Sequence, residues 1–277
     1  MSVVINTNYA AVLARKNLAE VQRQMDKSVE RLSSGKRINN ASDDAAGSAI
    51  AGRMESQIRG LTMGIRHAKD GQSLVSTAEG AMQEVNKILQ RMRELAIQAA
   101  SGVANNVDKD YLNLEVSQLV SQIEAISVNT KFNQQPVLDG QTFTFYTDID
   151  VAGSAITTTG ADMAVTALGV TATGVSIGGG VAQAALSTVV TKIDAALAIV
   201  DNRRAALGAV SNRFDHIIDN LQNVIMNTVS SKSRIVDADF SVETTNLTRN
   251  TVLQQAATSM LAQANAQKNT ILSLIQQ

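Results

Sequence analysis

From Val75 onward, apolar residues recur at Ala78, Met82, Val85, Leu89, Met92, Ala96 and Ala99, in steps of three and four. That spacing lays one narrow stripe along a helix and marks a coiled-coil seam. Gly102 and the Asn105–Asn106 pair interrupt it. The stripe resumes at Leu112, Val116, Leu119, Ile123 and Ile126 and stops near Asn129–Thr130. Two helices joined by a short polar turn read as an antiparallel hairpin. A third stripe runs through Leu186, Val190, Ile193, Leu197, Val200, Leu207, Phe214, Ile218, Leu221 and Ile225, broken only by Arg204 and Ser211. At 1.5 Å per residue, roughly 40 residues make a rod about 60 Å long. Such a helix must lie along others to hide its stripe.

Composition supports the same picture. Aromatics are 3% of the 277 residues, Trp is absent and Pro occurs once. Small and medium apolar side chains with almost no Pro suit long helices meeting along narrow seams. The fold class expected is mainly α, a long antiparallel helical bundle or coiled coil with a small β-hairpin insertion. The hairpin signal lies in 141–181, where Phe143, Phe145, Thr147, Ile149 and Val151 alternate before a Gly-, Thr- and Ala-rich stretch. Alternation of this kind predicts one or two small hairpins.

The two ends mirror each other. Leu18, Val21, Met25, Val29 and Leu32 form a stripe near the start. Leu253, Ala257, Met260, Ala264, Gln267, Ile271 and Leu274 form one at the finish, where only Arg249 and Lys268 are charged after Glu243. Two readings fit this tail. It is a core helix of the same globule, or a helix that meets its partners only on assembly and is disordered in the monomer. Between Ser33 and Gly47 the seam lapses into a loop, and Ser42 is the expected N-cap of the next helix, with Asp43 and Asp44 in its first turn. ValAspAlaAspPhe at 236–240 reads as a similar break.

Several function classes receive no support. Net charge is −1, which points to neither nucleic acid nor an anionic membrane. No Cys is present, so disulfides, thiolate zinc sites and Cys nucleophiles are excluded. No apolar run is expected to span a bilayer, and no cleavable signal peptide is visible at the start. His67 and His216 stand far apart on helical patterns, and no His-Glu-x-x-His motif, P-loop or dinucleotide fingerprint occurs. Asp43–Asp44 and Asp237/Asp239 resemble carboxylate pairs, but helix-start and loop roles explain them better. The sequons at Asn40 and Asn246 fall in expected inner segments and read as chance. Catalytic, cofactor-binding and metal residues are therefore all expected to be absent.

The motifs, taken in order, are specific. IleAsnThrAsn at 5–8 precedes a helix. ArgLeuSerSerGly at 31–35 is followed by ArgIleAsn at 37–39 and AspAspAlaAlaGly at 43–47. GlnArgMetArgGluLeuAla occupies 90–96, PheAsn 132–133 and AsnArgPhe 212–214. SerArgIleValAspAlaAspPhe at 233–240 leads to LeuGlnGlnAla at 253–256 and AlaGlnAlaAsn at 262–265. Together these resemble bacterial flagellin over about 1–140 and 185–277, with the variable outer region much reduced.

The resemblance carries expectations. It implies a structural, non-enzymatic subunit of the flagellar filament, a helical homopolymer that drives motility. It implies a terminal coiled coil from 1–45 and 232–277, a helical shell from 46–140 and 182–231, and a variable insertion at 141–181. The core-packing residues would be Leu18, Val21, Met25, Val29, Leu32, Leu253, Ala257, Met260, Ala264, Ile271 and Leu274. Export through the flagellar type III channel, an export chaperone on the C-terminal helix, and contacts with cap and hook-associated proteins follow from the family. So does an extracellular location. Family receptor positions, carried over by motif for Toll-like receptor 5, would be Leu89, Gln90, Arg91, Leu95 and Glu115. The heptad turns Arg91 outward. O-linked sugar on Ser and Thr of 141–181 is a further family expectation. Two alternatives share parts of the pattern: a hook–filament junction protein, which has similar ends, and an intracellular coiled-coil scaffold, whose ends would be folded in isolation.

Overall fold

The computed structural model describes residues 7–147 and 155–275, with side chains described as far as Gln267. Five helices dominate it: α1 (Tyr9–Ser34), α2 (Ala45–Ala99), α3 (Asn106–Asn129), α4 (Gln183–Val236) and α5 (Phe240–Ile275). Two antiparallel hairpins accompany them. β1 (Lys131–Phe132) pairs with β2 (Gln135–Pro136), and β3 (Thr142–Tyr146) pairs with β4 (Ala155–Thr159) in the register Thr142 to Thr159 and Tyr146 to Ala155. The chain forms two contact-dense units, residues 1–58 with 226–277, and residues 59–225.

In the unit of residues 59–225, the stripe from Val75 to Ala99 is buried throughout, while Leu112, Leu119, Ile126, Val190, Leu197, Leu221 and Ile225 of the other two stripes are only half-buried. Val75, Ala78, Met82, Val85, Leu89, Met92, Ala96 and Ala99 are all buried, as are Leu186, Ile193, Val200, Leu207, Phe214 and Ile218. The α2–α3 turn falls where the seam lapses. Asn105 accepts from the Asp108 amide at 2.8 Å, and the Asp108 carboxylate accepts from the Asn105 amide at 3.2 Å. This reciprocal box satisfies two free amides at the helix start.

The insertion is more deeply engaged than a surface hairpin. After the single hairpin β3–β4, residues 160–181 form turns with no further strand among the described residues. Met163, Leu168, Val170, Val175 and Ile177 are all buried in the same core as the helices. Phe145 of β3 meets Phe214 of α4 edge to face, centroids 5.7 Å apart at 85°, the geometry aromatic quadrupoles favour. Ile149 and Val151 lie outside the described residues. The β1–β2 hairpin lies before the expected insertion. Its turn residues Asn133 and Gln134 both have positive φ, 49° and 67°, as a two-residue hairpin turn requires.

Two sequence expectations are corrected. Ser42 does not cap α2. Asp44 does, its Oδ1 accepting from the Gly47 amide at 2.8 Å while its carbonyl accepts from Ser48. Asp44 is the position three residues before a free amide, where a carboxylate can reach it. The second concerns apolar length. One stretch of α4 is long and apolar enough to cross a membrane by composition, although Lys192 and Asp194 interrupt its runs. Its buried residues Leu186, Ile193, Ala196 and Val200 belong to the bundle core.

Candidate functional site

The paired chain ends come first. Asn8 caps α1, its Oδ1 accepting from the Ala11 amide at 3.1 Å, and Gly35 ends the helix at φ 68°, a conformation glycine adopts without a Cβ penalty. Asp239 starts α5, its Oδ1 accepting from the amides of Ser241 and Val242 at 2.8 and 3.3 Å. Between the helices the backbone zips: the Arg37 amide donates to the Val236 carbonyl at 2.7 Å, and the Ala238 amide to the Gly35 carbonyl at 3.0 Å. The Arg37 guanidinium closes on the Ile235 carbonyl at 2.6 Å.

These turns bring α1 and α5 together antiparallel. Three cross-links record the register. Asn8 Nδ2 donates to the Ala264 carbonyl at 3.0 Å, Gln254 Nε2 to Gln22 Oε1 at 2.7 Å, and Arg31 Nη1 to Glu243 Oε1 at 2.9 Å. On α1 the inward positions are Ala11, Ala14, Leu18, Val21, Met25, Ser28 and Leu32; on α5 they are Glu243, Leu247, Asn250, Gln254, Ala257, Leu261 and Ala264. Both sets are heptads. The seam on α5 is mixed: Glu243, Asn250 and Gln254 share it with Leu247, Ala257, Leu261 and Ala264, and Glu243 and Asn250 are its most buried members.

Large apolar side chains instead face out. Val12, Leu13 and Val29 of α1 and Val242, Val252, Leu253 and Met260 of α5 are exposed, Leu253 by 45% and Met260 by 63%. Of the core-packing residues read from the sequence, Leu18, Val21, Met25, Leu32, Ala257 and Ala264 are half-buried between the helices, while Val29, Leu253 and Met260 are on the outer surface. The side chains of Ile271 and Leu274 lie outside the described residues. The polar seam partners Ser28, Asn250 and Gln254 were missed, because a search for apolar spacing passes over them. A groove of about 690 Å³ runs along the pair beside Val12, Arg15, Leu18 and Gln254.

The carboxylate pairs act at turns. Asp43 Oδ2 accepts from the amides of Asn39 and Asn40, both at 3.1 Å, and its Oδ1 meets Lys27 Nζ of α1 at 2.8 Å. The Lys27 ammonium, followed by those two amides, holds the Asp43 carboxyl well below the usual carboxylate range. Asp237 accepts from the Ser233 hydroxyl at 2.6 Å. Both histidines are exposed, and the described residues contain no cluster of three or more His, Cys, Asp or Glu suited to a metal ion.

The receptor positions separate by depth. Leu89 and Leu95 are fully buried in the bundle. Gln90, Arg91 and Glu115 are exposed. Arg91 Nε donates to Glu115 Oε1 of α3 at 2.9 Å, and its Nη1 to Glu94 at 3.1 Å. Glu115 and then Glu94 stabilise the charged guanidinium and raise its pKa further above the ordinary arginine value. Gln90 donates to Asn86 Oδ1 at 2.7 Å, and Asn86 to Asp201 of α4 at 2.9 Å. The arrangement thus ties the α2, α3 and α4 surfaces together with polar links above a dry core.

Long amphipathic helices, paired ends with an apolar exterior and side chains committed to caps and cross-links define a structural, self-associating helical protein. The Bacterial flagellin N-terminal helical region matches residues 5–142, and the Bacterial flagellin C-terminal helical region matches residues 190–275. The chain is 40% identical to a flagellin of Halalkalibacterium halodurans over 273 residues, 99% of this chain and 100% of that protein. It is 38% identical to a flagellin of Bacillus subtilis, over 98% of this chain and 99% of that one. A crystal structure of Bacillus cereus flagellin is 32% identical and covers 56% of this chain and 88% of its own, with a TM-score of 0.49. The chain belongs to the bacterial flagellins. It is a structural subunit of the flagellar filament and not an enzyme.

Proposed function

We propose that this subunit polymerises through its paired ends, with neighbouring copies covering the outer faces of α1 and α5. The observation that carries the reading is the row of large apolar side chains left on the outer face of the α1–α5 pair. Its seam is held by Gln22–Gln254 and Arg31–Glu243, while Leu253, Met260 and Val12 face out. Exposed apolar side chains on this scale favour association, and burying them against another copy gains about 25 cal/mol per Å². Ordering the ends costs about 1–2 kcal/mol per backbone residue, so assembly is cooperative and concentration-dependent. In this reading 1–45 with 232–277 form the inner core of the filament, 46–140 with 182–231 its shell, and 141–181 the variable insertion.

The family supports the accompanying steps. The subunit leaves the cell through the flagellar type III apparatus, escorted by a chaperone on its C-terminal helix, and meets the cap and hook-associated proteins at the filament ends. The exposed face of Gln90, Arg91 and Glu115 is the part of the motif open to a host Toll-like receptor 5; Leu89 and Leu95 support it from beneath.

The test is negative-stain electron microscopy of purified subunit after addition of short filament seeds. Long uniform tubes are expected. Protein that stays dispersed at high concentration with competent seeds would overturn the assembly reading and favour a junction or scaffold role.

A further inference from the structure

A polar cavity of about 270 Å³ lies between α1 and α5, lined among others by Lys27, Ser28, Arg31, Asn246, Arg249 and Asn250. It sits at one level of the pair, beside the Arg31–Glu243 link. Its chemistry is unbalanced in three ways. Ser28 and Asn250 are each only 5% exposed; among the described residues their side chains make no hydrogen bond, and their polar atoms keep access to the cavity. Arg31 spends Nη1 on Glu243, but its Nε is buried with no acceptor. Arg249 has no ion-pair partner among the described residues, whereas Lys27 is engaged by Asp43 at 2.8 Å.

Buried donors without acceptors cost free energy, and native proteins satisfy them with protein groups, water or a ligand. Water would serve Ser28 and Asn250. It would not answer the charge: Lys27 is paired with Asp43 and Arg31 with Glu243, which leaves the Arg249 guanidinium at the cavity without a counter-ion among the described residues. Guanidinium groups flanked by hydroxyl and amide donors match the lone pairs of an oxyanion.

We propose that this cavity is an oxyanion-binding site of the paired ends. The anion accepts from Arg249, from Arg31 Nε and from the Ser28 and Asn250 side chains, and it ties α1 to α5 at the level of the Arg31–Glu243 link. Its source is either a free anion of the phosphate kind or a carboxylate of a neighbouring copy in the filament.

The experiment has two arms, run at constant ionic strength. In the first, binding of radiolabelled inorganic phosphate to free subunit and to assembled filament is measured by equilibrium dialysis. In the second, the dissociation temperature of filaments in phosphate-free chloride buffer is compared for Arg249→Gln, Arg249→Lys and Asn250→Leu, with Arg53→Gln as control. Saturable phosphate binding near one per subunit, weakened at least tenfold by Arg249→Gln and unchanged by Arg53→Gln, identifies a free anion. Without phosphate binding, a filament dissociation temperature lowered by Arg249→Gln and Asn250→Leu but largely kept by Arg249→Lys identifies a neighbour's carboxylate. If phosphate does not bind and the Arg249 and Asn250 variants dissociate with the control, the cavity holds water only and the proposal falls. Phosphate binding equal in Arg249→Gln and the parent would overturn it too, as non-specific.

Discussion

The ring of Phe214 occupies the space a side chain at Gly71 would need: a Cβ there would lie 2.5 Å from Cζ and 2.9 Å from Cε2. Gly71 is therefore a notch in α2 that lets α4 approach with its aromatic residue inward. The same ring receives Phe145 of β3 edge-on, so one glycine positions both a helix and a hairpin.

Gly71→Ala gains helix propensity of at most about 1 kcal/mol and forces the Phe214 ring out of a dry core, an overpacking cost of typically 1–3 kcal/mol. The net expected is destabilisation. Gly208 of α4 is the internal control, because a Cβ there meets nothing within 4 Å. Gly208→Ala should stabilise the subunit by up to about 1 kcal/mol. Urea unfolding of the two variants followed by circular dichroism checks the opposite signs. A stabilised Gly71→Ala protein would show that the notch does not constrain packing.

Asp43 gives a prediction with a defined pH course. Lys27 and two backbone amides favour its ionised form, so its folded pKa lies below the ordinary Asp value of 3.8. A depressed folded pKa means the contribution is complete above the unfolded value and is lost as pH falls from there toward Asp43's own lower value. Asp43→Asn should thus destabilise the terminal unit at neutral pH, and the deficit should stay constant down to about pH 4 and shrink only below it. Thermal unfolding of parent and variant across pH 2–7 measures the difference. A deficit that already disappears at pH 6 would remove the Asp43 carboxylate as its cause.

How much of this was legible in the sequence depends on what each seam is made of. The stripe from Val75 to Ala99 is buried throughout, because apolar spacing is the signal that both packing and pattern reading use. At the ends the signal misleads about the subunit. The heptad that joins α5 to α1 runs through Glu243, Leu247, Asn250, Gln254, Ala257, Leu261 and Ala264, while Leu253 stands one position away from Gln254 on the outside. Polar seam members carry no hydropathy contrast, so apolar spacing finds Leu18, Val21, Met25, Leu32, Ala257 and Ala264 and passes over Ser28, Asn250 and Gln254. Residues 160–181 were opaque for another reason. Met163, Val170 and Ile177 are buried from irregular turns, where no period of two or 3.6 exists to betray them. The exchange of Ser42 for Asp44 as the cap is a shift of two residues, within the reach of several competing Asx and Ser caps in one loop.

The outer stripe makes a sharp prediction for assembly. Leu253 and Met260 are substantially exposed in the subunit, so Leu253→Asp or Met260→Asp removes little internal packing and should leave the helices of residues 59–225 folded. Each places a charge where a neighbouring copy would bury the surface, a cost of several kcal/mol when unpaired. Seeded polymerisation should therefore fail while far-ultraviolet circular dichroism stays near that of the parent. Ala257→Asp, within the seam, should disturb the α1–α5 pair as well. Normal filaments from both exposed-site variants would refute burial of this face.

The Arg91–Glu115 pair allows the receptor face to be separated from the fold. Both side chains are 43–49% exposed, and a pair of that kind contributes only about 0–1 kcal/mol to stability. Arg91→Asp should leave the melting temperature nearly unchanged while lowering receptor signalling by free subunit. The swapped double variant Arg91→Glu with Glu115→Arg restores an opposite-charge pair across α2 and α3 but inverts what a partner meets. If the receptor reads the identity of these groups, the double variant should stay as weak as the single one. If signalling returns with the swap, Arg91 acts only by holding α3 against α2. An unchanged dose response in Arg91→Asp would remove Arg91 from the receptor surface altogether, and a reporter-cell assay with monomer at matched concentration distinguishes the three results.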